Sequence, residues 1–201
     1  MQNSRTSSDF IHKNNFFAFL AGIAILGVLL GVISFCFMSE DFLKQMALAQ
    51  ANFIDMRKNQ DFVHILIKSF TSSTIFLGSA FLLGFSAIAQ PVELMIPLVK
   101  GLGLGVTMAQ VYVQNGKGGM LTCLLIILPC AVISMYSLLM GVREAIGLSN
   151  ILMSDALSIK QRDGLLPTVK LYAVKFLVLE AVVAVSAAVD CICTVAFSGS
   201  L

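Results

Sequence analysis

Five long runs of apolar residues, separated by shorter and more polar stretches, dominate the pattern along the chain. The runs cover residues 16–38, 71–89, 94–113, 120–140 and 171–197. A helix of about 20 mostly apolar residues is long enough to cross the hydrocarbon core of a bilayer. The pattern therefore predicts an all-α polytopic membrane protein with five transmembrane helices, which together form a single domain over residues 16–197.

The third run is the least regular of the five. It contains Pro97 and Lys100 and follows Pro91, whereas the first two runs contain no charged residue. Proline removes a backbone hydrogen bond inside a helix, and freed carbonyl groups are tolerated in a membrane only inside a bundle or beside water. The sequence leaves open whether this helix is continuous or broken. The fourth run contains Pro129 near its middle.

Two of the connections are long enough to contain helices. In residues 39–70, apolar residues recur at alternating four- and three-residue steps among charged ones: Phe42, Met46, Ala49, Phe53 and Met56. This spacing predicts an amphipathic helix that lies on the membrane or on a partner, and a solvated connector is the alternative. Residues 141–170 mix apolar and charged residues in a similar way, so we expect a second amphipathic helix there.

The composition favours a lipid environment. Hydrophobic residues make up 58% of the 201 residues and charged residues only 12%, and the mean hydropathy is +0.91. A soluble domain has about 25% charged residues, so this chain has too few of them to cover a globule with a solvated surface. The net charge of +2 comes from dispersed basic residues and does not indicate nucleic-acid binding.

The distribution of Lys and Arg indicates which end of the chain is cytoplasmic. With the N-terminus inside, eight of these residues lie on the inner side and five on the outer side, as the positive-inside tendency favours. We therefore expect residues 1–15 to form a cytoplasmic tail and residues 198–201 an outer tail, in a multi-pass protein of the cell membrane. Lys100 and Lys175 would lie about one to two turns inside a span and extend their ammonium groups to the inner headgroups.

Catalytic and cofactor motifs are absent from the sequence. Neither His12 nor His64 lies in an H-E-x-x-H motif, and no G-x-S-x-G motif occurs. Lys117 in the stretch NGKGG resembles a phosphate loop, but Gly replaces the Ser or Thr that would ligate Mg²⁺, so we expect a tight turn. The five cysteines include no C-x-x-C pair and do not indicate a disulfide framework or a zinc site. We expect no catalytic, cofactor-binding or metal-binding residue and no cofactor.

Stripes of small residues four positions apart occur in three of the runs: Gly27 and Gly31, Ala80 and Gly84, and Gly101 and Gly105. Such stripes let two helix backbones approach closely, which matters in lipid because the hydrophobic effect does not drive helices together there. We expect the stripes to pack within the bundle. Contact with another protein, including a second copy of the chain, is the alternative.

Ionisable residues inside the spans are the remaining candidates for chemistry. Glu180 and Asp190 lie ten residues apart in the fifth run, about 80° apart around a helix, so both can face the bundle. An ionisable group near the bilayer centre costs about 2.5–3.5 kcal/mol to insert. Either structural hydrogen bonds or an ion or proton path would explain the two carboxylates, and Glu180 should not face lipid. Glu93 and Lys100 could pair on one face of a continuous third helix.

The middle of the chain has the pattern of a known family. It reads FLLGFSAIAQP up to Pro91, then VKGLGLG over residues 99–105, followed by the Gly118-Gly119 turn and the run with Pro129. This segment resembles the stage II sporulation protein M family of spore-forming Firmicutes. In that family an apolar helix ends in Ile-Gly-x-Pro, and Lys-Gly, a further Gly, a turn and a proline-containing helix follow. Ala89 departs from the pattern, because the family usually has Gly there.

The resemblance implies a membrane scaffold without catalysis of its own. Family members are polytopic proteins of the mother-cell membrane that are thought to recruit a peptidoglycan amidase/endopeptidase and a lytic transglycosylase for septal wall remodelling and engulfment. The residues that match the family pattern, which we expect to be structural, are Pro91, Lys100, Gly101, Gly105 and Pro129. The outer segment 39–70 would then bind the partners. The alternative is a membrane permease subunit of an ABC-type or ion-coupled transporter, with coupling through residues 141–170 and a role for Glu180.

Overall fold

Helices make up all of the regular structure in the part of the chain that the computed structural model describes, namely residues 2–38, 62–86, 88–157 and 165–197. The helices are α1 (Gln2–Cys36), α2 (Phe62–Leu83), α3 (Gln90–Thr122), α4 (Leu128–Leu157) and α5 (Leu165–Phe197), and the π-helical segment Cys123–Ile127 connects α3 to α4. Within these described residues, five stretches are long and apolar enough to cross a membrane: Asn15–Cys36, Val63–Leu83, Gln90–Val113, Gly118–Asp155 and Pro167–Thr194. The prediction of an all-α chain with five helices of membrane-spanning length is confirmed.

Helices α1 and α3 are parallel and lie side by side. Gly27 lies against Leu98, and Gly31, one turn further along α1, lies against Leu102, one turn further along α3. Helix α2 is the one described helix between α1 and α3 in the sequence. Because α1 and α3 point the same way, α2 runs in the opposite direction. Helix α2 therefore returns the chain from the far end of α1 to the start of α3, as consecutive membrane spans do.

The pairs α3–α4, α4–α5 and α2–α5 are antiparallel, as expected for an up-and-down arrangement of the five described helices. The contacts that fix these directions are Lys100 with Ser134 and Gln90 with Asn150 between α3 and α4, Cys130 with Ser186 and Lys175 with Glu144 between α4 and α5, and Thr74 with Glu180 and Phe81 with Tyr172 between α2 and α5. In each pair, a contact further along one helix lies further back along the other.

Helix α3 is continuous through Pro97, so the question of a broken third span is answered. The helix begins at Gln90 with Pro91 in its first turn, where a missing N–H loses no helical hydrogen bond. Its one interruption is Gly116, whose φ of 56° and ψ of −129° are not helical and are readily adopted only by glycine. Beyond it the chain turns back, and the Cys123 thiol reaches the Met108 carbonyl.

The connection after the fourth run is shorter than the sequence pattern predicts. Helix α4 runs on to Leu157, so most of the amphipathic stretch expected within residues 141–170 is a continuation of α4 and not a separate loop helix. The helix continues because residues 141–157 contain no proline and only Gly141 and Gly147 as weak helix formers. The amphipathic helix predicted in residues 39–70 falls mainly outside the described residues, as does the predicted outer tail 198–201. Residues 2–15 of the predicted cytoplasmic tail form the first part of α1.

The exterior of the bundle is apolar, and its largely apolar interior contains buried serines. Large apolar side chains are exposed on every helix, among them Ile25, Ile75, Met95, Val132 and Leu177. Inside, buried serines donate hydrogen bonds across helices to backbone carbonyls: Ser137 to Leu179 at 3.0 Å, Ser149 to Ser86 at 2.8 Å and Ser186 to Cys130 at 2.9 Å. An apolar exterior and interhelical hydroxyl bonds are what a bundle surrounded by hydrocarbon requires.

Candidate functional site

The closest helix contact lies between α1 and α3, along the surface that we call the glycine seam: Gly27, Gly31, Gly101 and Gly105. A Cβ atom added at any of these positions would overlap a backbone carbonyl oxygen of the opposite helix, in the order Leu98, Leu102, Ala24 and Val28. The small-residue stripes of the first and third runs therefore pack against each other. These two stripes pack within the bundle, as expected.

The third small-residue stripe accommodates a tyrosine that the sequence analysis did not select. A Cβ added at Gly84 would overlap the Tyr172 hydroxyl, which donates to the Phe81 carbonyl at 3.0 Å and lies 3.5 Å from the Ala80 carbonyl. The Tyr172 ring also stacks on that of Phe81, with centroids 5.2 Å apart. A lone Tyr in an apolar run was the signal for it, because a buried hydroxyl needs an acceptor.

A second feature, which we call the polar cavity, lies between α2, α3, α4 and α5. Its volume is about 370 Å³. Its polar lining residues are Lys68, Ser69, Ser72, Ser73, Lys100, Thr107, Cys130, Ser134 and Asp190, and its apolar walls are Phe76, Val99, Leu104, Ile127 and Ala131. The stretch TSST at residues 71–74 signalled a polar patch inside the second apolar run, and the sequence analysis missed it.

Lys100 points into the bundle, so the expectation that its ammonium reaches the inner headgroups is wrong. The residue is 9% exposed. Its Nζ donates to the Ser134 carbonyl at 3.4 Å and lies 5.8 Å from the centre of the Phe76 ring. The glycine seam sets this orientation. Because Gly101 packs on α1, the neighbouring side chain of Lys100 faces α2 and α4.

The pair that the sequence suggested between Glu93 and Lys100 does not form. Glu93 is fully buried in the first turn of α3, and neither of its carboxylate oxygens has a hydrogen-bond partner among the described residues. Seven residues correspond to about 10 Å along a helix, and Lys100 turns to Ser134 instead. The helix N-terminus, with its unpaired N–H groups, provides favourable electrostatics for a carboxylate at this position.

Glu180 and Asp190 both face the interior of the bundle but have different surroundings. The Glu180 carboxylate accepts a hydrogen bond from the Thr74 hydroxyl of α2. Asp190 is 4% exposed and lines the polar cavity, while its backbone carbonyl accepts from Thr194 at 2.8 Å. The structure therefore gives Glu180 a hydroxyl partner and brings Asp190 into the same cavity as Lys100.

A small ionic cluster lies at the end of the bundle where α5 begins. Glu144 accepts from Lys175 at 2.6 Å and from Arg143 at 3.1 Å. The Lys175 side chain is 44% exposed, so it is partly accessible while it pairs with α4. Lys175, whose ammonium was expected to reach the inner headgroups, pairs with Glu144 instead.

The five residues that match the family pattern occupy distinct positions around α3 and α4. Pro91 lies in the first turn of α3, Gly101 and Gly105 lie on the seam, and Lys100 faces the cavity. Pro129 lies in the first turn of α4, just after the π-helical segment ends at Ile127, where a residue that lacks an N–H is tolerated. The chain matches no protein-family model, no curated protein and no solved structure.

Proposed function

We propose that this protein is a multi-pass membrane scaffold that recruits peptidoglycan hydrolases for septal wall remodelling and engulfment during sporulation. The observation that carries the proposal is the role of Gly101 and Gly105, two of the residues on which the family resemblance rests. Both lie where the α3 backbone contacts α1. Residues that match a family through helix packing, and not through chemistry, fit a protein whose work is to hold partners.

In this proposal the five helices cross the cell membrane with the N-terminus in the cytoplasm. The apolar exterior of the bundle supports insertion, and the excess of Lys and Arg on the N-terminal side supports the orientation. The partners are an amidase/endopeptidase and a lytic transglycosylase, which supply the catalysis. The outer segment 39–70 is the part of the chain that would contact them.

Deletion of the encoding gene from a spore-forming host tests the scaffold. We expect forespores that arrest during engulfment, and we expect the hydrolases to lose their concentration at the septum in fluorescence microscopy. Normal engulfment together with altered export of a solute or drug would contradict the scaffold. As a control, the Gly103→Ala gene, which changes an α3 glycine away from the seam, is expressed in the deletion strain. It should restore engulfment.

The polar cavity favours one second candidate, a membrane permease subunit of an ABC-type or ion-coupled transporter. Lys100 and Asp190 face a cavity inside the candidate spans, and intramembrane ionisable groups often mark transport paths. The variant Glu180→Gln separates the two candidates. A scaffold tolerates it, because glutamine keeps an acceptor for the Thr74 hydroxyl, whereas an ion-coupled path through Glu180 loses transport.

A further inference from the structure

The polar cavity opens to the outside of the bundle between α2 and α3. Four of its lining residues are exposed: Lys68 and Ser72 on α2, and Val99 and Gly103 on α3. Helices α2 and α3 also contact each other at few positions. If the bundle is inserted as proposed above, the molecules that meet this opening are lipids.

The Lys100 ammonium in the cavity has no carboxylate counter-ion in the described part of the chain. The Lys100 ammonium can donate three hydrogen bonds, and the structure gives it one acceptor, the Ser134 carbonyl at 3.4 Å. Lys68 and Asp190 have interactions of their own, and no ion pair joins Lys100 to a carboxylate among the described residues. A charge taken out of water needs a partner of opposite sign.

Unused hydroxyl donors lie on the same cavity. Thr107 donates to the carbonyl of Gly103 at 2.9 Å and Ser134 to that of Ala131 at 3.2 Å, so both hydroxyls are occupied within their own helices. Ser72 and Ser73 also line the cavity, and neither hydroxyl makes a hydrogen bond to a described residue. The cavity thus combines one ammonium with spare donor capacity and two available hydroxyls.

We propose that the polar cavity binds a phosphate group, held by the Lys100 ammonium and the hydroxyls of Ser72 and Ser73. Ammonium and hydroxyl donors suit phosphate oxygens, and Lys binds phosphate as a point charge. The volume of about 370 Å³ lies at the lower end of the range for small-molecule sites, roughly 300–1,000 Å³. With Lys68 and Lys100 against Asp190, the ionisable lining has a formal charge of +1 and therefore attracts an anion.

The position of the opening favours a lipid headgroup over a soluble anion as the source of the phosphate. The headgroup would enter from the side between α2 and α3, while its acyl chains remain along the exposed apolar surface beside Val99. Lys68 lies about 9 Å along α2 from Phe62 at 1.5 Å per residue, nearer than Lys100 to the end of the bundle where α2 begins. It is the first cation that an incoming headgroup meets.

The test uses the full chain, purified in a neutral detergent, and three probes. Phosphatidic acid carries the phosphate, diacylglycerol has the same chains without it, and inorganic phosphate has no chains. Native mass spectrometry and thermal unfolding measure binding. We expect wild-type protein to bind phosphatidic acid at least about tenfold more tightly than diacylglycerol, which corresponds to one charge-assisted bond or more.

Matched variants test the residues. Lys100→Met should weaken phosphatidic acid binding by about 10- to 100-fold, and Ser72→Ala and Ser73→Ala by about threefold to tenfold each. Lys175→Met, which removes a lysine that pairs with Glu144 at the other end of the bundle, should leave binding unchanged. Lys100→Arg keeps the charge and should retain binding. If Lys100→Met does not fold, Lys100→Gln removes the charge with a polar side chain and should weaken binding to the same extent.

Three outcomes are decisive. Binding of phosphatidic acid alone supports a site filled from the membrane, and binding of inorganic phosphate as well supports the same site filled from water. Equal binding of phosphatidic acid and diacylglycerol, or wild-type affinity in Lys100→Met and in both serine variants, overturns the proposal. The proposal rests on membrane insertion but not on the scaffold function, which the engulfment phenotype tests separately.

Discussion

Helix α3 presents a closely packed face to α1 and a polar, open face to α2 and α4. Toward α1 it presents Gly101 and Gly105, and the two backbones meet with no room for a methyl group. Toward α2 and α4 it presents Lys100 and Thr107 to a cavity of about 370 Å³. On that side Gly103 has no atom within 4 Å of where its Cβ would be. The same helix therefore combines a tight backbone contact on one face with an open cavity on the other.

The difference shows how a bundle with an apolar exterior can keep a polar cavity. Helix association in lipid depends on close van der Waals packing and interhelical hydrogen bonds, since the surrounding chains are as apolar as the side chains. The glycine seam supplies such packing on one side of α3. With α1 packed against the seam, the opposite face of α3 is left to line a cavity with polar groups.

The largest expected effect follows from a methyl group added to the seam. Gly101→Ala and Gly105→Ala should each destabilise the protein by about 1–3 kcal/mol, because the new Cβ overlaps the backbone of α1 and overpacking has costs of this size. The measurement is thermal or denaturant unfolding in detergent. The seam variants should also unfold at lower temperature than wild type at every detergent concentration tested.

Gly103→Ala is the control for the seam variants. It makes the same change on the same helix, but at an open position, so the stability should change by no more than about 0.5 kcal/mol or rise slightly, since Ala favours a helix over Gly. Equal effects at Gly101 and Gly103 would show that helix propensity, and not contact with α1, determines stability. The contrast between the two faces would then be lost.

A buried hydrogen bond joins α2 to α5 in addition to the stacking of Tyr172 on Phe81. Tyr172→Phe removes the hydroxyl that donates to the Phe81 carbonyl at 3.0 Å, and should lower stability by about 1 kcal/mol in the same unfolding assay. Tyr136→Phe is the control, because Tyr136 is exposed. A loss as large as that of a seam variant would mean that the two sides of the bundle contribute equally.

The seam was predictable from the sequence, apart from its pairing. Spacing alone marked Gly27 with Gly31 and Gly101 with Gly105, because small residues one turn apart leave a flat strip on any helix. Which strip meets which depends on the direction and neighbours of each helix. Those are set by all five helices together, so pairing became visible only in three dimensions.

The cavity was less predictable, for a physical reason. Lys100 was noticed as a charge in an apolar run, but its rotation about α3 follows from Gly101 packing on α1, a contact between distant parts of the sequence. Ser72 and Ser73 belong to a polar stretch, yet serine bonds readily to its own helix in any membrane span. Sequence identifies a hydroxyl without showing whether it has an acceptor already.

The ionic cluster at the other end of the bundle should contribute less than either feature. Glu144→Gln removes the charge that pairs with Lys175 at 2.6 Å and Arg143 at 3.1 Å. Because these side chains are partly exposed, we expect a loss of about 0.5 kcal/mol that shrinks as salt is added. A loss above that of Tyr172→Phe, or one that salt does not change, would contradict this ranking.

The smallest expected effect on stability is the most informative about the cavity. Lys100→Met removes a buried ammonium that has one long hydrogen bond, and replacing a buried charge by an apolar side chain of similar length is often neutral or stabilising. In lipid-free detergent we therefore expect a change within about 0.5 kcal/mol of wild type, even though phosphate binding is lost. If the variant is instead destabilised as much as Gly101→Ala, Lys100 is a structural element and the two faces of α3 have the same role. A stable variant that no longer binds phosphate would show that Lys100 serves ligand binding and not folding.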